Sequence, residues 1–162
     1  MAEWTRIVFI GIAATVVMDL WALAARNLFG IATLDYRLVG RWIAHFGQGR
    51  FAHDAIALAE PVKGEKWLGW AAHYAIGLAF AWLFALLVVP DWFANPTPEV
   101  AVMFGLVTVL VPWLIMQPAF GFGVAASNTP DPLSARLRNL ATHAVFGLGL
   151  YLSALVLGQL GA

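Results

Sequence analysis

Apolar residues gather in four long runs: Ile7 to Ala25, Leu68 to Val89, Val100 to Met116 and Leu140 to Leu160. A bilayer core of roughly 30 Å takes about 20 helical residues, so each run is long enough to span. The pattern predicts spans at about 7–28, 68–89, 100–117 and 138–160, in one four-helix domain over residues 1–162. Asp19 is the one charge inside the first run. Ala22-Leu23-Ala24 looks like a signal-cleavage site, but a carboxylate inside the apolar segment argues for a retained span.

The punctuation between runs fits this reading. Pro90-Asp91 stops the second run, and Asn95-Pro96-Thr97-Pro98 predicts a short hairpin turn. Pro112 should kink the third helix, and Pro118 should bias Gln117 out of helical geometry. The fourth helix is expected to start early, with Asp131 as cap and Pro132 at its first position. In the long first connection, Leu38, Val39, Trp42, Ile43 and Phe46 repeat at helical spacing, with Arg37, Arg41 and His45 opposite. That spacing predicts an amphipathic helix lying in the membrane interface, ended by Gly47-Gln48-Gly49. A second short helix is expected over Ala52–Ala59.

Composition strengthens the membrane reading. Of 162 residues, 62% are hydrophobic and 11% charged, too few charges to coat a water-facing surface. Net charge is zero, which leaves no basic footprint for nucleic acid. The absence of cysteine excludes disulfides, thiolate metal sites and cysteine nucleophiles. Arg6 alone lies on the side of the two termini. Arg26, Arg37, Arg41, Arg50, Lys63, Lys66, Arg136 and Arg138 lie on the other. The positive-inside asymmetry predicts cytoplasmic long loops and periplasmic termini.

Sliding the chain by seventy residues lays His73 on His143, Gly77 on Gly147 and Leu78 on Leu148. Met18-Asp19 pairs more weakly with Met116-Gln117. This predicts two helical hairpins related as parallel repeats.

The polar residues inside the runs are the candidate chemistry. Asp19 lies seven residues before Arg26, about 10 Å along a helix. His73 follows Lys66 by seven, His143 follows Arg138 by five, and Gln117 closes the third span. Asp19, His73, Gln117 and His143 are therefore expected at one depth near the cytoplasmic face. Buried ionisable groups are costly and mark a role or a partner. Early-turn imidazoles should be neutral, leaving a nitrogen free to bind a metal or haem iron or to accept a proton. His73 and His143 are thus candidate metal ligands. Thr15, Arg26, Glu65 and Asn139 are supporting candidates, with Glu65 two turns from His73 and Arg26 able to pair with Asp19. Gly77 and Gly147 either leave room for a flat ligand or let helices touch. Gly69-x3-His73-x3-Gly77 has the small-residue spacing of helix packing. The bland alternative is a set of hydrogen-bonded packing residues. The sequence carries no H-E-x-x-H, phosphate loop or Gly-x-Ser-x-Gly elbow.

The string Gly40-Arg41-Trp42…His45, Glu60-Pro61…Gly64-Glu65…Gly69-Trp70…His73-Tyr74…Gly77, Met116-Gln117-Pro118…Thr129-Pro130…His143…Phe146-Gly147 resembles a family of small four-span bacterial inner-membrane proteins catalogued as a domain of unknown function. The resemblance covers nearly the whole chain. It implies four spans and a bacterial inner membrane, and it assigns no catalytic residue and no cofactor. Three functions fit these readings. The leading one is a buried polar site handling a proton, a metal ion or a small polar solute, working as a homodimer if it transports. The second is an accessory subunit of a larger membrane complex. The third is haem or metal binding.

Overall fold

The computed structural model describes residues 3–88 and 90–160, with the side chains of Pro90, Asp91 and Leu160 left out. Among the described residues every regular element is helical. Helix α1 runs Glu3–Phe29, α2 Tyr36–His45, α3 Glu65–Leu87, α4 Pro98–Ala119 and α5 Pro132–Leu160. Four of them, α1, α3, α4 and α5, are long and apolar enough to cross a membrane. Their outer faces are apolar: Leu20, Leu86 and Met103 are each at least 60% exposed, as expected where lipid is the solvent.

The chain forms two compact units, Met1–Thr33 with Tyr74–Thr108 and Leu140–Ala162, and Leu34–His73 with Val109–Asn139. The first unit has an apolar core of Ile10, Ala14, Ala81, Phe84, Ala101, Phe146 and Leu150. Close helix approach holds it together. A Cβ on Gly77 would collide with the Thr15 hydroxyl, and one on Gly147 with the Ala101 carbonyl. Gly105 lies against the His143 carbonyl in the same way. The space above Gly77 and Gly147 is therefore filled by a neighbouring helix and is closed to a flat ligand.

The second unit packs Val39, Ile56, Ala119 and Phe120 together, flanked by Leu38, Trp42, Ile43 and Met116. Gly40 and Gly69 meet where α2 crosses the start of α3. A side chain on Gly40 would overlap the Glu65 carbonyl, and one on Gly69 the Tyr36 carbonyl. Helix α2 starts at Asp35, whose side chain accepts from the Arg37 N–H at 3.0 Å and ion-pairs with its guanidinium. That partner lowers the Asp35 pKa from the usual carboxylate value.

Three local expectations change. Arg41 and His45, expected on the polar outer side of α2, are buried at 8% and 1% exposure. They find hydrogen-bonding partners inside the unit, which makes the inward placement tolerable. The expected helix over Ala52–Ala59 shrinks to a single turn, Ile56–Leu58. The segment instead gives backbone bonds away, His53 N–H to the Ala119 carbonyl at 2.8 Å and Ile56 N–H to the Phe120 carbonyl at 3.1 Å. Gln117 stays helical, at φ −65° and ψ −44°, despite Pro118. Pro112 lacks an N–H, and α4 widens into a π turn over Pro112–Met116 that Gln117 N–H closes onto the Pro112 carbonyl. The wider turn carries the helix on to Ala119. At the start of α5, Ser134 N–H bonds to the Asp131 carboxylate at 3.1 Å, the cap its sequence implies.

Candidate functional site

The four residues expected to form the site fall in both units. Asp19 and His143 belong to the first, His73 and Gln117 to the second. Each has its own surroundings.

In the first unit, the Tyr74 hydroxyl donates to Asp19 Oδ2 at 2.9 Å. Arg26, the partner expected for Asp19, lines a shallow groove with Gly30, Ile31, Ala32 and Thr33. Thr15 is fully buried, and its hydroxyl returns to the Gly11 carbonyl at 2.8 Å, one turn back. His143 Nδ1 lies 2.8 Å from the Thr108 hydroxyl, which donates its single proton to the Gly105 carbonyl at 2.6 Å. The ring must then donate through Nδ1, leaving Nε2 as the acceptor of a neutral imidazole.

In the second unit, His73 Nε2 meets the Tyr36 hydroxyl at 3.1 Å, and the two rings stack with centroids 4.2 Å apart. Glu65, expected to orient His73, instead gives both oxygens to Arg41, at 2.8 Å from Nε and 2.9 Å from Nη2. Glu65 also accepts from Val62 N–H at 3.0 Å. Arg41 Nη1 donates to the carbonyls of Ile56, Ala57 and Ala59. One guanidinium thus ties α2, the Ile56 turn and the start of α3 together, and the Glu65 carboxylate raises its pKa further above the ordinary arginine value. The planar fork of arginine matches a carboxylate in a way lysine does not.

His45 Nδ1 and His53 Nε2 are 2.8 Å apart. One of these atoms is the donor and the other the acceptor, so the pair has room for one shared proton there. Burial holds the His53 pKa below the usual imidazole value, and neighbouring His45 and Arg50 push the same way. Asn139 is half-buried near the start of α5.

Gln117 differs from the rest. It is 5% exposed, and its Oε1 is buried without a hydrogen-bond partner. Trp113 Nε1 and His53 Nδ1 are buried orphans too, both in the second unit. Native interiors leave few such atoms unpaired, so each calls for an explanation. Among the described residues, no group of three or more His, Asp or Glu side chains is arranged to hold a metal ion.

Sequence inspection missed Tyr36, Tyr74, Thr108 and the His45–His53 pair as site neighbours. Tyr74 follows His73 directly, and a tyrosine inside an apolar run was the available signal. The fold of four apolar spanning helices and the few buried polar pairs define a multi-pass membrane protein. The chain belongs to the family described as "Protein of unknown function (DUF2938)", which matches residues 8–157. No curated protein and no solved structure matches it.

Proposed function

We propose that the protein is a bacterial inner-membrane protein that handles a small polar solute, with Asp19, His73, Gln117 and His143 as its polar groups. The observation that carries this reading is the buried Gln117 side chain with an unpartnered Oε1. Asp19, His73 and His143 already have hydroxyl partners and act as positioned groups. A carboxamide does not titrate, so its free acceptor favours a neutral polar solute over a proton. The cation count favours long loops in the cytoplasm, with α2 near the headgroups and both termini in the periplasm. The seventy-residue offset favours two repeated hairpins, and transport by so few spans favours a homodimer.

The test is osmotic swelling of proteoliposomes across a panel of small polar solutes. Vesicles holding the wild-type protein should swell faster than empty ones for at least one solute. Gln117→Leu should slow that solute by up to about tenfold, the worth of one hydrogen bond. Wild-type vesicles indistinguishable from empty ones for every solute would refute the reading.

A second reading, an accessory subunit whose polar pairs merely lock the bundle, is favoured by the closed Tyr74–Asp19 and Thr108–His143 contacts. A defined partner copurifying at fixed stoichiometry, together with no solute effect, would support it.

A further inference from the structure

We propose that the end of α4 holds one hydroxyl of a small neutral polyol between the Trp113 indole N–H and the Gln117 amide oxygen, with His53 taking a second hydroxyl. This rests on the solute-handling reading above and names its contact residues and ligand class.

The two α4 atoms are complementary. Trp113 Nε1 is a buried donor without a partner, and Gln117 Oε1 a buried acceptor without one. Four residues separate them, which brings the side chains back to nearly the same helix face. Helical side chains generally lean toward the preceding turn, which for Gln117 is the turn that carries Trp113. The π turn over Pro112–Met116 lies between them, a widened turn of the kind that recurs at functional sites.

The third orphan belongs to the same neighbourhood. His53 gives its backbone N–H to the Ala119 carbonyl at 2.8 Å, two residues beyond Gln117. Its Nε2 is taken by His45, and Nδ1 is the atom left over.

The chemistry of the ligand follows from what is already spent. The buried Arg41 and the half-buried Glu65 satisfy each other, so this ion pair leaves no charge over to balance an ion. Burial, with His45 and Arg50 nearby, lowers the His53 pKa and so disfavours a cation at this ring. A hydroxyl oxygen accepts from an N–H and passes its own proton to a carbonyl, which pairs Trp113 and Gln117 through one atom. A carboxylate lacks the donor, and an ammonium lacks the acceptor. Water shares the hydroxyl chemistry, and the size of the probe separates the two sources.

The experiment records the indole 15N–1H resonances of the full chain in nanodiscs, with the Trp113 signal assigned from its loss in Trp113→Phe. Glycerol is titrated in, with acetate and methylammonium as charged controls of similar size. The expected result is a saturable shift of the Trp113 signal with glycerol alone, weakened several-fold in affinity in Gln117→Leu and in His53→Phe. If Gln117→Leu does not fold, His53→Phe carries the comparison. No saturable shift with glycerol means that water alone satisfies these atoms, and it overturns the proposal. So does an equal shift with either charged control. Swelling activity without the Trp113 shift leaves the solute-handling reading standing and removes this subsite. A shift without swelling keeps the subsite and removes permeation.

Discussion

The two compact units solve the problem of polar groups in an apolar chain in opposite ways. In the first, Thr15 and Ser153 bond back to carbonyls of their own helices, and Asp19 and His143 take hydroxyl partners. Glycines then bring the helices together, and packing dominates. The second buries Arg41 and His45 and bonds them to Glu65, to three carbonyls and to His53. Among the described residues it also holds three buried polar atoms with no partner, against Trp92 Nε1 in the first unit. Without a hydrophobic force between helices in lipid, close contact holds the first kind of core. The second kind stands or falls with its polar network.

The largest effect should come from breaking that network. Arg41→Met leaves Glu65 buried without its cation and should cost about 3 kcal/mol. The double variant with Glu65→Leu should recover most of it. Melting in detergent of the single and double variants makes the comparison. Equal loss in both would mean that the pair is not coupled.

Next in size is an attack on the close contacts of the first unit. Gly147→Leu drives a side chain into the Ala101 carbonyl and should cost about 2 kcal/mol by overpacking, with no polar change. An unaltered melting midpoint would show that α4 and α5 do not touch there. The polar pairs of that unit should matter less. Tyr74→Phe and Thr108→Val should each cost about 0.6 kcal/mol, the usual worth of such bonds in membranes. Losses near 3 kcal/mol would move the first unit into the class of the second.

Acid should weaken the second unit selectively. The folded His53 pKa lies below its unfolded value, so the unfolded chain binds the proton more tightly. The contribution is full above about pH 6.5, the ordinary imidazole value, and falls as pH drops toward the folded pKa. The exchange protection of residues 49–59, taken relative to the intrinsic amide rate at each pH, should fall between pH 7.5 and 5 in the wild type and stay flatter in His53→Gln. The smallest effect on stability is expected at Gln117. Gln117→Leu removes an unpaired acceptor, so melting should be unchanged or slightly raised while solute swelling falls. A large loss of stability would assign Gln117 to packing instead.

The membrane class, the four spans and the α5 cap were written in local patterns: apolar run length, proline placement and Asp131-Pro132. These depend on bilayer thickness and nearest-neighbour backbone geometry, which a linear sequence carries. Asp19, His73, Gln117 and His143 were visible as polar residues in apolar runs, yet their partners were not. Tyr74 lies fifty-five positions from Asp19, Tyr36 thirty-seven from His73 and Thr108 thirty-five from His143. Helical spacing placed Arg41 and His45 on the polar side of α2 and so toward water. Tertiary structure reversed this, because Glu65, three carbonyls and His53 together give those groups more bonds than their burial removes. The glycines follow the same division. Their spacing marked helix faces, and only the arrival of Thr15 and the Ala101 carbonyl decided that the space over Gly77 and Gly147 is filled. Periodicity reports which residues share a face, whereas what meets that face depends on chain segments that sequence distance does not bring together.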